Sequence, residues 1–187
     1  MAGLGQSEEP RRILEVGPGT GSFTREIIAL LGPEDELHLC EANTEFLAFL
    51  KRRIENDPEL SNRKNQISYY TCPIQNLEGD DRYHHIISGL PFNNFPAEVV
   101  EEILNRYREH LLPGGTLRFF EYLAIRQTKI PFVSRDERHR LRRISVVLGD
   151  LCRRYAIRKT VVWFNLPPAI AWCLVFDDGN QKQHRVS

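Results

Sequence analysis

Ile13-Leu14-Glu15-Val16-Gly17-Pro18-Gly19-Thr20-Gly21-Ser22-Phe23-Thr24 is the stretch on which the reading of this chain turns. A short apolar run carries an acid at its end. Three glycines follow at alternate positions, and a helical pattern begins behind them. This predicts a strand over residues 12–16, a tight turn, and a helix over residues 21–31 that Gly32-Pro33 stops. Gly17, Gly19 and Gly21 permit backbone angles closed to other residues and let a ligand come close to the main chain. The helix N-terminus beyond them offers unpaired N–H groups. The spacing is G-x-G-x-G and not the G-x-G-x-x-G of dinucleotide sites.

Working outward, strands and helices alternate. Strands are expected at residues 36–40, 66–71, 84–88 and 116–122. A helix over residues 44–56 is expected to turn Phe46, Leu47, Phe49, Leu50 and Ile54 inward. Pro96 suits the first position of a helix that runs to residue 110. Leu112-Pro113-Gly114-Gly115-Thr116 reads as a turn. An arginine-rich helix over residues 135–155 leads to strands at 156–164 and 169–176, joined by Asn165-Leu166-Pro167-Pro168. Such alternation predicts an α/β fold, a mostly parallel sheet with helices on both faces. The 187 residues are read as one domain, with residues 1–10 a flexible arm and 177–187 a flexible tail.

With Glu15 two residues ahead of the first glycine, the stretch resembles motif I of the class I S-adenosylmethionine-dependent methyltransferases. The resemblance implies a Rossmann-like, seven-stranded sheet closed by an antiparallel C-terminal hairpin. It implies that Glu15 holds the methionine ammonium and that Gly17, Pro18, Gly19 and Gly21 line the cofactor. Glu41 ends the second strand, 20 residues after Gly21, where an acid reaches the ribose hydroxyls in a doubly wound sheet. Ala42 follows it. The family often places an acid in the loop after strand three to accept from the adenine amine. Pro73 stands at that point here, which leaves the adenine edge to the main chain at Ile74 and the amide of Gln75. S-adenosylhomocysteine is the implied product.

Ser88-Gly89-Leu90-Pro91-Phe92-Asn93-Asn94 follows strand four, beside the cofactor's methyl group in that fold. It resembles the S-G-L-P motif of the soluble, peripheral bacterial phosphatidylethanolamine N-methyltransferases. The segments L-L-P-G-G-T-L-R-F-F-E-Y and N-L-P-P-A-I-A-W also look like that family. The resemblance assigns Ser88 to the cofactor and Gly89, Leu90, Pro91 and Phe92 to the substrate mouth. Ribosomal-RNA adenine dimethylases carry N-L-P and an aromatic at this place. Their asparagine accepts from the target amine and their aromatic stacks on the base. Ser88-Gly89 replaces that asparagine here, which favours the lipid reading over RNA. The lipid enzymes have a longer segment before strand one, including a membrane-binding helix, whereas a dozen residues precede Ile13 here.

Methyl transfer to phosphatidylethanolamine, on the way to phosphatidylcholine, needs a neutral amine. The lipid amine must therefore lose a proton before it attacks. Tyr122 is the first choice for positioning it, with Glu121 and His85 as further candidates for the proton. Glu121 is expected to face away from Tyr122, as strand neighbours do, and His85 sits early in its strand. A cofactor-binding protein of this fold without turnover is a second reading.

Lys and Arg number 25, as do Asp and Glu, so net charge names no partner. Its distribution is uneven: residues 128–160 hold ten Lys or Arg against three Asp or Glu. Arg135, Arg138, Arg142 and Arg143 gather on one side of the predicted helix, opposite Leu141, Ile144, Leu148 and Leu151. Such a face suits an anionic membrane surface, and RNA as the alternative. Cys40, Cys72, Cys152 and Cys173 lack metal or redox spacing. Cys40 and Cys173 are expected in buried strands, which favours a reducing, cytoplasmic setting. No signal-peptide pattern and no membrane-spanning apolar run is found, so membrane contact is expected to be peripheral, on the inner face.

Overall fold

A computed structural model describes residues 9–122, 135–162 and 169–176. Seven strands form one sheet in the order β3-β2-β1-β4-β5-β7-β6. They are β1 (Arg12–Val16), β2 (Glu36–Cys40), β3 (Ile67–Tyr70), β4 (Tyr83–Ser88), β5 (Leu111–Tyr122), β6 (Ala156–Val162) and β7 (Ala169–Val175). The first five pair in parallel, and β7 runs antiparallel between β5 and β6. The expected sheet and closing hairpin are both present. Among the described residues no helix is long and apolar enough to cross a membrane.

Strand alternation divides the core. Ile13, Leu37, Leu39, Ile67 and Ile87 meet α1 (Thr24–Ala29) and α2 (Thr44–Asn56) on one face. Leu14, Val16, Ile86, Leu117, Phe119 and Leu174 meet α3 (Ala97–His110) and α4 (Arg135–Tyr155) on the other. A buried ion pair, Arg11 Nη2 to Asp35 Oδ2 at 2.6 Å, ties the entry of β1 to the turn before β2.

Three elements differ from expectation. α1 is shorter than predicted, because the glycine turn occupies its first residues. On α2 only Leu47, Leu50 and Ile54 are buried, one stripe at helical spacing. Phe46 and Phe49 lie on its flank, each 47% exposed, and do not face the core. The expected turn at residues 112–116 is a bulge inside β5. Tyr83 of β4 pairs with Leu111, His85 pairs with Thr116, and the residues between loop outward. Gly114 takes φ 76° there.

On α4, Ile144 and Leu148 are buried, Leu141 and Leu151 are half-buried, and Arg135, Arg138, Arg142 and Arg143 are exposed. Arg143 is bound to Glu98 of α3 at 2.6 Å. Cys173 is half-buried, not fully buried as expected. Residues 1–8, 123–134, 163–168 and 177–187, with most of the predicted arm, the joining N-L-P-P segment and the tail, lie outside the described residues.

Candidate active site

The site is built where β1 gives way to α1. Gly17, Gly19 and Gly21 adopt φ of 68°, 55° and 87°, a region that strains any side-chain-bearing residue and favours glycine at all three positions. Gly21 N–H donates to Pro18 O at 2.9 Å and closes the turn. Gly17 N–H donates to Cys40 O, and Gly89 N–H to Val16 O. Glu41 N–H donates to Tyr70 O. The carboxyl ends of β3, β2, β1 and β4 are thereby sewn into one edge, the edge at which open α/β sheets bind ligands.

Glu15 lies on this edge, fully buried on the α1 side of β1. Its Oε2 accepts from Thr24 Oγ1 at 2.7 Å. Its Oε1 is buried with no hydrogen-bond partner among the described residues. Burial pushes the carboxyl up to about 8, and the Thr24 hydroxyl offsets part of that. Glu41 reaches the same turn from β2. Its Oε2 accepts from Gly19 N–H at 3.1 Å and its Oε1 from Asn43 N–H at 2.9 Å. Asn43 caps α2, its Oδ1 accepting from Glu45 N–H and Phe46 N–H. A Cβ on Gly19 would meet nothing within 4 Å, so the main chain there borders open space.

The remaining predicted cofactor residues are placed unevenly. Pro18 is buried and Ala42 is exposed. Ile74 turns its side chain into the core, in a 3-10 turn, and Gln75 is half-buried beside it. Ser88 is 1% exposed, and its Oγ accepts from the buried Tyr107 hydroxyl at 2.9 Å. The Ser88 side chain thus props the loop from beneath.

The S-G-L-P loop is less open than its sequence suggested. A Cβ on Gly89 would stand 2.5 Å from Gly17 O, so the two loops touch back to back. Leu90 Cδ2 lies 2.5 Å from the Cβ position of Gly17. Pro91 is exposed. Phe92 is 4% exposed and meets Phe119 edge-on, with centroids 5.5 Å apart. It is a core residue and does not line the mouth as expected, because Phe119 offers an aromatic edge that solvent cannot.

Ser88 at the end of β4 pairs with Phe119, so β5 continues three residues further, through Phe120, Glu121 and Tyr122. Glu121 and Tyr122 pair with Ile170 and Ala169 of β7. The side chains of both lie outside the described residues. Phe120 stacks on Phe23 at 4.6 Å and 15°, bridging β5 to the end of the glycine turn. His85 is in register with Ile13, back from this edge, and bonds Thr116 Oγ1 through Nδ1 at 2.8 Å. Burial, with Arg118 and Arg11 nearby, pushes its pKa down to about 4. It faces the cleft of Arg11, His84 and the β5 bulge.

Sequence reasoning missed Thr24, Tyr107 and the Phe23–Phe120 stack. Thr24 was visible as a hydroxyl nine residues beyond Glu15; the others depend on which strands become neighbours. Cys40 and Cys72, 32 residues apart, come within 4.0 Å at Sγ as free thiols, which spacing could not show.

The methyltransferase-domain family model matches residues 13–115. The ornithine lipid N-methyltransferase of Singulisphaera acidiphila is 27% identical over 109 residues, 58% of this chain and 56% of that protein. The match therefore spans little more than half the length of this relative. Among solved structures, the N-methyltransferase NodS of Bradyrhizobium japonicum WM9 superposes with a TM-score of 0.63 at 13% identity, covering 90% of this chain and 86% of that one. The O-methyltransferase TomG of Streptomyces achromogenes, solved in complex with SAM, gives 0.62 at 16% identity, covering 88% and 73%.

Proposed function

Because the chain belongs to the methyltransferase-domain family, we propose that it transfers a methyl group from S-adenosylmethionine to the amine of a lipid headgroup, phosphatidylethanolamine on the way to phosphatidylcholine. The observation that carries the cofactor half is Glu15. A buried carboxylate oxygen without a donor is unfavourable unless a ligand supplies one. The amino-acid end of S-adenosylmethionine brings an ammonium, the donor that Oε1 lacks. Glu41 fits the ribose. Each of its oxygens accepts one main-chain N–H and keeps acceptor capacity for a hydroxyl. The open side of Gly19 leaves room for the ligand against bare backbone.

The substrate half is supported by the lipid relative and by Phe92. A base-stacking role would require Phe92 to leave Phe119 and the core. Together with the absence of an asparagine at Ser88, this weighs against a ribosomal-RNA adenine.

When bound, S-adenosylmethionine supplies an electrophilic methyl group on a sulfonium. The chain's part is to hold the acceptor amine in line and rid it of its proton. Gly89, Leu90 and Pro91 form one side of the approach, and the overhang of β5 the other. We assign Tyr122 to positioning the amine, whose proton passes to water, with Glu121 on the other face of β5 reached only through such a water. His85 is left out. It lies away from the carboxyl edge and its ring is already bonded to Thr116. Burial, with Arg118 and Arg11 nearby, lowers its basicity, so it is a poor acceptor for an ammonium proton.

The test is incubation with methyl-labelled S-adenosylmethionine and either phosphatidylethanolamine vesicles or ribosomal RNA. Label in the lipid fraction is the expected result. Label in RNA would replace the lipid reading. Cofactor binding without label in either fraction would select the second class, a binding protein without turnover.

A further inference from the structure

The two exposed phenylalanines of α2 have no role in the core, and their position is specific. Phe46, Phe49 and Arg53 follow one another at spacings of three and four, and Arg52 lies three beyond Phe49. The four therefore form one stripe along the helix. The stripe borders the cofactor turn. Arg53 Nη1 donates to Thr20 O at 2.9 Å. Leu50, next to the stripe, lies under Gly21, whose Cβ position is 2.5 Å from Leu50 Cδ1. Phe46 N–H is bound by the Asn43 cap, two residues from Glu41. Glu45 shares the flank, and Arg52 and Arg53 outweigh its charge.

We infer that this flank of α2 is the face by which the protein lies on an anionic lipid bilayer, with the cofactor mouth turned toward the membrane. The inference rests on the lipid reading above and adds to it where the membrane is met. Half-exposed aromatic rings beside arginines are the chemistry of an interfacial helix. The rings enter the boundary between headgroups and acyl chains, while the guanidinium groups meet lipid phosphates. A protein partner would satisfy the rings alone; the adjoining positive charge and the position at the mouth favour the bilayer. A lipid amine rising from that surface would have a short path to the carboxyl edge of the sheet. The arginines of α4 offer charge without comparable aromatic side chains, and α4 packs on the opposite face of the sheet.

The experiment is sedimentation with phosphatidylcholine vesicles, with and without phosphatidylglycerol, using the whole chain. The variants are Phe46→Ser/Phe49→Ser, Phe46→Leu/Phe49→Leu and Arg135→Ala/Arg142→Ala. Circular dichroism melts check folding, and gel filtration reports oligomeric state. Wild type is expected to sediment with the anionic vesicles. The serine pair should lose about tenfold or more of that binding, while the leucine pair retains most of it. The inference is overturned if wild type stays in the supernatant, or if the serine pair binds like wild type. It is also overturned if only the α4 pair abolishes binding, or if the serine pair splits a dimer of this chain instead. Methyl label in the lipid extract is read separately. Vesicle binding without label defeats the proposed reaction, and label without dependence on Phe46 and Phe49 defeats the docking face.

Discussion

Glu15→Gln should stabilise the ligand-free protein and do so in a pH-dependent way. The Glu15 carboxyl is raised from 4.5 to about 8 on folding, with burial as the main cause. The folded state therefore holds this proton more tightly than the unfolded chain. Stability is fully present below pH 4.5 and is lost as pH rises toward 8. At 1.36 kcal/mol per pKa unit, the loss reaches about 3 kcal/mol by pH 7. Glutamine keeps the shape and still accepts from Thr24 Oγ1 but has no charge to bury. Urea unfolding of both proteins from pH 5 to pH 8 should give curves that nearly meet at the acid end. The variant should be ahead by about 3 kcal/mol at neutral pH. The ligand reverses the order. An ammonium beside Glu15 favours the ionised form, so binding S-adenosylhomocysteine at pH 7 should release close to one proton. Calorimetry in buffers of different ionisation heat reads this number, and Glu15→Gln should release almost none while binding more weakly. A stability difference that stays flat across this range, or equal proton release by both proteins, would refute the reasoning.

Other outcomes follow from the same edge. Gly89→Ala should weaken S-adenosylhomocysteine binding as well as turnover, because the new methyl group meets Gly17 O and pushes on the cofactor turn; calorimetry and a label assay read both, and a loss of turnover alone would contradict the packing. Gly19→Val should fold, since space is open there, with a strain penalty on the order of 1–2 kcal/mol from its positive φ. Its cofactor affinity should nonetheless fall well over tenfold as the side chain enters the ligand's space, a drop visible by calorimetry. Tyr107→Phe removes the hydroxyl that Ser88 accepts from and should lower urea stability by about 1 kcal/mol, with little change in cofactor affinity.

The fold was legible where local rules and tertiary demand agree. β1, β2, α2 and α4 begin and end where apolar periodicity and the glycine turn place them. The family reading needed only Glu15, the glycines and Glu41, all within 30 residues of one another. Legibility ended where a side chain had two apolar destinations. Phe46 and Phe49 satisfy helical spacing for burial, but Leu47, Leu50 and Ile54 already fill the inner stripe. Phe92 sits in a loop that reads as a mouth, yet a strand 27 residues later gives it Phe119. The inward turn of Ser88 and the contact of Gly89 with Gly17 depend on β4 lying beside β1. Neither segment carries that fact alone.

The back-to-back contact of Gly17 and Gly89 also bears on how such a protein can change specificity. A substrate loop that stood alone could be exchanged for that of a relative as a cassette. Here Gly89 N–H is bonded to Val16 O and its Cα rests on the carbonyl of Gly17, so no side chain fits between the loops. A transplanted 88–92 segment would have to bring a residue as small as glycine at that point, or bring its own glycine turn with it. On the proposed reaction, a change of acceptor would fall to Pro91 and the overhanging end of β5, which lie outside the joined pair of loops.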